Sequence, residues 1–248
     1  GPLFGLRMAD TDADTQTPVE PEQDSPIDRL KNGEPISANW ITISDPVVGE
    51  ITADLGFDIA FVDAEHTSMS LESVGNVLRG IESMADVGTI VRVPSGDPTY
   101  LKRVTDLGVG GIMVPMVESA ADAEALVDAT RYPPEGFRGA GPARAQRYGG
   151  NLAEYVETAN EKLLRIPQIE TETAMENAGE IAAVDGIESL FLGPLDLSKS
   201  LGIMGEYHTD EFVDAVETVL DAAHAVDTPV GCIATNEDEI EYYHDLGF

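Results

Sequence analysis

Positive charge is scarce in this chain. Only 14 of its 248 residues are lysine or arginine, against 46 aspartates and glutamates, and the formal net charge is −32. A surface this acidic repels phosphate, which excludes a nucleic-acid-binding protein. Lysine occurs only at Lys31, Lys102, Lys162 and Lys199. This composition is typical of a protein from a halophile's cytosol, where salt screens the self-repulsion. The alternative is an ordinary acidic protein with an acidic tail.

Cysteine and long apolar runs are also lacking. The single Cys232 excludes a disulfide within the chain, and its apolar neighbours predict a buried structural thiol. No apolar run approaches the about 20 residues that a membrane-spanning helix needs. Residues 1–24 are polar and acidic, without the charged-then-apolar order of a signal peptide. We therefore expect a disordered tail over 1–24, one domain over 25–248, and a cytoplasmic protein that binds no membrane.

Strand-like and helix-like segments alternate along the domain. The apolar runs that predict strands are 38–44, 59–64, 88–94, 111–117, 163–170, 189–194 and 229–235. Segments with helical periodicity lie between them, with Ser70 and Asp97 as candidate N-caps. Repeated strand–helix units indicate an α/β protein with a parallel sheet.

Two architectures fit seven such units: an open doubly wound sheet, or a TIM (β/α)8 barrel. No G-x-G-x-x-G motif follows an early strand, so a dinucleotide-binding fold lacks its signature. The last helical segment should lead into an eighth strand, but the sequence stops at Phe248. We therefore predict a barrel that is truncated before its eighth strand and terminal helices.

Polar residues gather at or just beyond the carboxyl ends of the predicted strands. They are Trp40, Asp63, Glu65, His66, Arg92, Gln168, Glu170 and Asp196. In a TIM barrel the strand ends at this face together build the active site. The residues that end the second strand would thus place two carboxylates and an imidazole at the mouth of the barrel, which is its opening at the carboxyl ends of the strands.

Each of these residues has a structural alternative. Glu170 and Asp196 would share a divalent cation, or each would cap the following helix, although Thr171 is the more natural cap after Glu170. His66 is a general-base candidate if Asp63 fixes its tautomer, and otherwise a structural histidine.

Arg92 and Trp40 also have two interpretations. Arg92 would hold a substrate carboxylate or an oxyanion, or else form a structural ion pair. Trp40 would line the ligand pocket or belong to the core. The segment 131–150 is rich in Gly, Pro and Arg. We expect it to fold over the mouth, with Arg138 near substrate or subunit contacts, unless it is a plain connection.

Several stretches together resemble the HpcH/HpaI aldolase family. They include "GFDIAFVDAEHTSMS" (56–70), "RYPPEGFRGAG" (131–141), "PQIETET" (167–173) and "GPLDLS" (193–198). Members of this family are class II, metal-dependent pyruvate aldolases of the phosphoenolpyruvate/pyruvate superfamily. The resemblance runs from about residue 27 to the end of the chain.

The resemblance implies a function and roles for the residues. The reaction would be reversible cleavage of a 4-hydroxy-2-oxo acid to pyruvate and an aldehyde. Glu170 and Asp196 would hold Mg²⁺ or Mn²⁺, with Co²⁺ as a further candidate. His66 would be the catalytic base oriented by Asp63, and Arg92 would stabilise the oxyanion. The pyruvate pocket would be formed by Trp40, Gln168, Gly193, Pro194 and Leu195. Asp106 would reach a neighbouring subunit's site in a homo-oligomer, typically a hexamer built as a trimer of dimers.

Two alternative functions remain open, and the sequence departs from the family pattern at two positions. The same scaffold could serve another oxo-acid lyase or an oxaloacetate decarboxylase, or the chain could be a non-catalytic barrel. A Schiff-base aldolase would need a lysine inside the barrel, and we expect none there. Leu195 stands where many relatives have alanine, which would alter the pocket wall. Pro167 interrupts the fifth strand, where we expect a bulge.

Overall fold

The computed structural model describes residues 24–248 and shows seven strands and eleven helices in that part of the chain. The predicted tail over 1–24 lies, except for residue 24, outside the described residues. The strands are β1 Ala38–Ile41, β2 Ile59–Asp63, β3 Gly88–Arg92, β4 Gly111–Val114, β5 Leu164–Ile169, β6 Leu190–Leu192 and β7 Val230–Cys232. Every predicted strand is present and is shorter than its apolar run, because the ends of each run already belong to the adjoining loops.

The helices follow the strands in the predicted alternation. They are α1 Pro26–Lys31, α2 Pro46–Asp54, α3 Leu71–Met84, α4 Pro98–Thr105, α5 Ala120–Thr130, α6 Leu152–Lys162, α7 Glu172–Glu176, α8 Ala178–Ala182, α9 Pro194–Ser200, α10 Asp210–His224 and α11 Glu237–Leu246. Ser70, Asp97 and Thr171 cap α3, α4 and α7 through their side chains, as their sequence positions predict. Across 24–248, no helix is long and apolar enough to cross a membrane.

The seven strands form one parallel sheet in the order β1-β2-β3-β4-β5-β6-β7. A doubly wound sheet reverses its strand order at a switch point, and this sheet does not. The sequential order is that of a (β/α) barrel, so the α/β barrel prediction is confirmed. In the described chain β1 and β7 are the two edges of the sheet.

The inside of the curled sheet is filled by one apolar cluster. It consists of Ile27, Ile59, Phe61, Ile90, Met113, Leu164, Ile166 and Phe191. Ile27 comes from α1, which closes the end where the strands begin. There a Cβ on Gly110 would stand only 2.9 Å from the Ile27 side chain, so glycine allows this close approach. A second, larger cluster packs the helices onto the outside of the sheet.

Alternation along the strands places polar side chains directly above this inner cluster. Side chains two residues apart in a strand share a face. Asp63 therefore follows Phe61 on the inner face, and Gln168 follows Ile166. The same period takes β3 from Ile90 to Arg92. The mouth of the barrel is thus the next layer of side chains above its core.

Two local expectations are wrong. Pro167 causes no bulge, because the register of β5 on β4 continues through the Val114–Pro167 pair. The pairing of β5 with β6 begins only at Gln168, so no ladder hydrogen bond is lost at the proline. Cys232 is partly rather than fully buried, because it lies on the edge strand β7.

The segment 131–150 does not fold over the mouth. Its backbone bonds instead to the carboxyl ends of α4 and α5, as in the hydrogen bonds from Ala145 N to Asp106 O and from Phe137 N to Asp128 O. These helices run back from the mouth, so their carboxyl ends lie at the opposite face of the barrel. Arg138 is fully buried there, with its Nη2 donating to Asp106 Oδ1 at 2.9 Å and its guanidinium over the Tyr132 ring.

Candidate active site

Arg92 and Asp63 form the centre of the mouth. They are register partners on β3 and β2. Arg92 Nε donates to Asp63 Oδ1 at 2.9 Å, and Nη2 donates to Oδ2 at 2.7 Å. The Asp63 carboxylate is buried, and although burial alone opposes its charge, the hydrogen bonds and charge of Arg92 hold its pKa below the usual value. This fork fixes the plane of the guanidinium.

Asp63 orients His66 in a different way from that predicted. Its Oδ1 accepts hydrogen bonds from the backbone N–H groups of Glu65, at 3.0 Å, and His66, at 3.4 Å. The carboxylate therefore shapes the loop and does not bond to the imidazole. The neighbour of the ring is Glu65, with 3.8 Å between His66 Nε2 and Glu65 Oε1. The His66 side chain is 67% exposed and points into accessible space.

Glu65 is a further component of the site, for which the sequence predicts no specific role. Its Oε2 lies 3.1 Å from Arg92 Nη1, but the alignment is too poor for a hydrogen bond, and this buried oxygen has no partner among the described residues. Burial is the main cause that raises the pKa of Glu65. The sequence feature that could have indicated a role for Glu65 is its position in the D-x-E-H stretch, two residues beyond Asp63.

Glu170 is the most strongly perturbed carboxyl group of the mouth. It lies one residue beyond β5, is only 4% exposed, and accepts a hydrogen bond from Met116 N to Oε1 at 2.8 Å. Burial raises the pKa of Glu170 to about 7; the hydrogen bond from Met116 and the charge of Arg92 oppose this rise, and the charges of Glu65 and Asp196 add to it. Such a site disfavours another negative charge and favours a cation.

Asp196 lies in the first turn of α9, near enough for its charge to raise the pKa of Glu170. Gly193 connects the two: a Cβ there would lie 2.9 Å from Gln168 Nε2 and 3.5 Å from Glu170 Oε2. Glycine is therefore required where β6 passes into α9. No side chain caps α9, so the first-turn N–H groups of Leu195 and Asp196 remain available to a ligand. The Leu195 side chain is 50% exposed.

An aromatic floor underlies the charged groups. The Trp40 ring stacks on Phe61 at a centroid distance of 5.0 Å and lies 5.7 Å from Phe191. The Arg92 guanidinium carbon stands 4.9 Å above the Trp40 ring. Trp40 thus both belongs to the inner core and lies under the mouth, so the two interpretations of this residue are not exclusive.

A divalent cation fits the chemistry of these residues. Gln168 Oε1 is buried without a hydrogen-bond partner in the described chain, as is Glu65 Oε2. Two carboxylates, Glu170 and Asp196, flank the space beside them. Within residues 24–248 no three His, Cys, Asp or Glu side chains converge as a complete metal site. The oxygens of water and substrate would have to complete the shell, as Mg²⁺ and Mn²⁺ commonly accept.

The remaining predictions fall outside the mouth. Asp106 ends α4 at the opposite face, paired with Arg138. All four lysines lie on helices, and none is among the buried residues of the described chain. Lys199 comes nearest to the site, with its Nζ 3.8 Å from Asp196 Oδ1, and it is 67% exposed.

The family model of the HpcH/HpaI aldolase/citrate lyase family matches residues 37–248. The chain belongs to this family. It is accordingly a carbon–carbon lyase of the aldolase type, as the sequence predicted.

Individual relatives agree with this assignment. The chain is 42% identical over 208 residues to a 4-hydroxy-2-oxovalerate aldolase of Novosphingobium aromaticivorans, covering 84% of this chain and 79% of the relative. It is 37% identical over 222 residues to a hydroxypyruvate/pyruvate aldolase of Delftia acidovorans, covering 88% and 81%. A solved structure of a family protein from Burkholderia cenocepacia J2315 superposes with a TM-score of 0.86 at 32% identity, covering 90% of this chain and 89% of the other.

Proposed function

We propose that this HpcH/HpaI lyase cleaves a 4-hydroxy-2-oxo acid reversibly to pyruvate and an aldehyde, with a divalent cation held by Glu170 and Asp196. The observation that carries the proposal is the buried carboxyl group of Glu170, on which the charges of Asp196 and of the fixed Arg92 guanidinium both act. Mg²⁺ or Mn²⁺ is the cation that we propose, with Co²⁺ as a further candidate.

The substrate would lie between the aromatic floor and the first turn of α9. Its carboxylate would accept hydrogen bonds from the N–H groups of Leu195 and Asp196, beside Gly193 and Pro194. Gln168 and Trp40 would bound the pyruvate half, and the exposed Leu195 side chain the outer wall. A bound cation would supply Lewis acidity towards the 2-oxo group.

The chain's own groups account for the proton movements. In cleavage, His66 takes the proton of the 4-hydroxyl group as the C3–C4 bond breaks. The 4-carbon leaves as the aldehyde, and the bonding electrons pass to the pyruvate fragment as its enolate. The proton that His66 has taken then returns to C3 of the enolate, which gives pyruvate and frees the imidazole. Arg92 stabilises the developing negative oxygen, because the fork to Asp63 fixes its direction in advance.

The test is pyruvate release from a racemic 4-hydroxy-2-oxo acid in molar KCl. We expect EDTA to abolish the activity, Mn²⁺ to restore it, and Glu170→Gln to prevent the restoration. Activity indifferent to EDTA would overturn the cation-dependent mechanism.

Oxaloacetate decarboxylation is a second candidate on the same site. Loss of CO₂ needs the carboxylate-binding groups and Arg92 but no base at a 4-hydroxyl. The reaction is favoured because Asp63 bonds to the backbone and not to the exposed His66 ring, and so does not orient that ring as a base. A His66→Asn variant separates the two: we expect it to lose aldol cleavage and to retain any decarboxylation. Loss of both would place His66 in a step that the two reactions share.

We also propose a homo-oligomer, as a hexamer built from dimers, in which Asp106 contributes to a neighbouring site. Asp106 lies away from its own mouth and its side chain is 21% exposed. Mixing inactive His66→Asn and Asp106→Asn chains under reassembly would restore some activity if Asp106 acts across subunits. A light-scattering mass of one chain, with full activity, would contradict the proposal.

A saline cytosol is the proposed compartment. It is supported by the net charge of −32 and the scarcity of lysine. Screening of the self-repulsion should raise the midpoint of thermal unfolding steadily as KCl increases. A midpoint independent of KCl would argue for an ordinary acidic protein.

A further inference from the structure

Met116 has an unusual backbone conformation beside the candidate cation site. It follows β4 and Pro115, and its φ of 56° lies in the left-handed region that residues with a side chain seldom adopt. Its side chain is 59% exposed, so burial of the methionine does not explain the conformation. Some other interaction of this residue must hold the backbone there.

That interaction is the hydrogen bond of the Met116 amide to Glu170. The nitrogen lies 2.8 Å from Oε1, across 54 residues of sequence. The other oxygen of the carboxylate, Oε2, turns toward Gly193, where an added Cβ would lie 3.5 Å from it. Gly193 leads directly into the turn that carries Asp196. One oxygen of Glu170 is therefore engaged by the Met116 backbone, and the other lies beside Gly193, where β6 passes into α9.

Further hydrogen bonds join the same two loops. Thr171 Oγ1 donates to Glu118 Oε1 at 2.8 Å, and Asn177 Nδ2 donates to Glu118 O at 2.8 Å. The Glu118 amide in turn donates to Asp122 on α5 at 3.2 Å. The loop after β4 is thereby joined to Thr171, the residue that follows Glu170, and to Asn177 at the end of α7. Met116, with its left-handed backbone, is the residue of the loop after β4 that bonds directly to the Glu170 carboxylate.

We propose that Met116 is a positioning residue whose backbone amide, and not its side chain, holds Glu170 so that Oε2 alone faces the cation. This inference rests on the proposed cation site. With Oε1 held by the fixed donor, Oε2 is the oxygen of Glu170 that we expect to contact a bound cation. Hydrogen bonds of this kind to a metal ligand typically change metal affinity by about 10- to 100-fold.

The decisive experiment deletes the N–H and keeps the side chain. Met116 is replaced by its α-hydroxy acid analogue, which turns the amide into an ester, and Mn²⁺ binding to the metal-free protein is measured by electron paramagnetic resonance of free Mn²⁺. We expect the Kd to rise about 10- to 100-fold. The matched control is the same ester at Glu118, whose N–H bonds to Asp122, and its Kd should equal that of the unmodified protein.

Side-chain variants and hydrogen exchange provide a test that does not depend on the folding of the ester chain. Met116→Gly and Met116→Ala both keep the N–H. Glycine tolerates a positive φ, and alanine carries a Cβ as methionine does, so both variants should bind Mn²⁺ with unchanged Kd. In the unmodified protein the Met116 amide should exchange slowly with solvent, although its side chain is exposed. Weak binding by Met116→Gly, or rapid exchange of this amide, would overturn the inference.

Failure of this inference can be told apart from failure of the proposed function. If the ester chain binds Mn²⁺ as tightly as the unmodified protein while Glu170→Gln abolishes binding, the cation site stands and the role of the amide is refuted. If the unmodified protein shows no Mn²⁺ binding that depends on Glu170, the cation site fails and this inference fails with it.

Discussion

Arg92 and Asp63 face each other on adjacent parallel strands and are joined by two hydrogen bonds, of 2.9 and 2.7 Å. The pair lies one side-chain layer above the aromatic floor, where Asp63 is only 2% exposed. A carboxylate buried this deeply depends on its arginine for stability, and the arginine depends on the carboxylate for its orientation. Changes at either residue should therefore affect both folding and turnover.

Arg92→Lys should lower kcat for pyruvate release by about 100-fold, because an ammonium keeps the charge but cannot form the fork that directs it. It should also lower the free energy of unfolding by about 2 kcal/mol, through the hydrogen bonds that Asp63 loses. Steady-state kinetics and denaturant unfolding measure the two effects. Arg79→Lys is the control, since among residues 24–248 the Arg79 side chain bonds only within α3, and it should change neither quantity. Unchanged kcat in Arg92→Lys would contradict the role of the fork.

Gly193→Ala should destabilise the protein by about 1–3 kcal/mol and weaken cation binding, because its Cβ would lie 2.9 Å from Gln168 and 3.3 Å from the Glu170 side chain. Gly179→Ala in α8 is the opposite case. Its Cβ would meet Ala222 at an ordinary 3.5 Å, so the better helix former should stabilise by up to about 1 kcal/mol. Thermal and denaturant unfolding test both. Equal effects of the two substitutions would show that close packing at Gly193 has no special importance.

Cation affinity should depend on pH through Glu170. Its pKa is raised to about 7 by burial, so below that pH a cation must displace a proton. We expect the Kd of Mn²⁺ to rise by about tenfold for each pH unit below 7 and to level off above it. Isothermal titration calorimetry across this range measures the profile. A Kd that is flat between about pH 5 and pH 7 would contradict the raised pKa.

Glu170 should also make the stability of the cation-free protein depend on pH. The folded chain binds this proton more tightly than the unfolded chain, whose carboxyl titrates near 4.5. The contribution of Glu170 to the free energy of unfolding therefore falls as the pH rises from 4.5 to about 7, and stays constant above. Glu170→Gln removes the titration. The difference in unfolding free energy between the two proteins should shift in favour of the variant across this interval.

Cys232 should be unreactive in the native protein. Burial, and then the charge of Glu239, raise the pKa of its thiol to about 12, so at pH 8 only about one molecule in 10⁴ carries the thiolate. Ellman's reagent should react slowly with the folded chain and rapidly after unfolding in guanidinium. Fast native reaction would show that the edge strand β7 opens readily.

The sequence predicted the fold and the gathering of polar residues at the mouth, because both depend on local periodicity. The run from Phe61 to Asp63 shows an apolar inner face ending in an acid, and the strand from Ile166 to Gln168 ends in an amide in the same way. Parallel strands then bring these ends together without any further information.

The partners of each group could not be predicted in this way. Asp63 was expected to bond to the ring of the neighbouring His66, but it bonds to Arg92, which is 29 residues away, and to the backbone of its own loop. A bidentate guanidinium outcompetes an imidazole for a buried carboxylate, and only the strand register brings the two together. Met116 gave no signal, since methionine is not typical of a left-handed turn.

The predicted location of segment 131–150 is wrong for a related reason. Its glycines, prolines and arginines are typical of a loop over an active site, yet Arg138 is fully buried at the other end of the barrel. The charge of Asp106 and the rings of Tyr132 and Tyr155 determine its position. These contacts belong to the tertiary structure, and composition does not reveal them.

Trp40 is the single tryptophan of the chain. Its indole lies beneath the Arg92 guanidinium at the base of the mouth, so the tryptophan emission, excited at wavelengths that tyrosine does not absorb, comes from one ring in one place. A ligand that moves the guanidinium or dries the ring will change the intensity and colour of that emission. The fluorescence of Trp40 therefore reports ligand binding at the mouth of the barrel, without an added label.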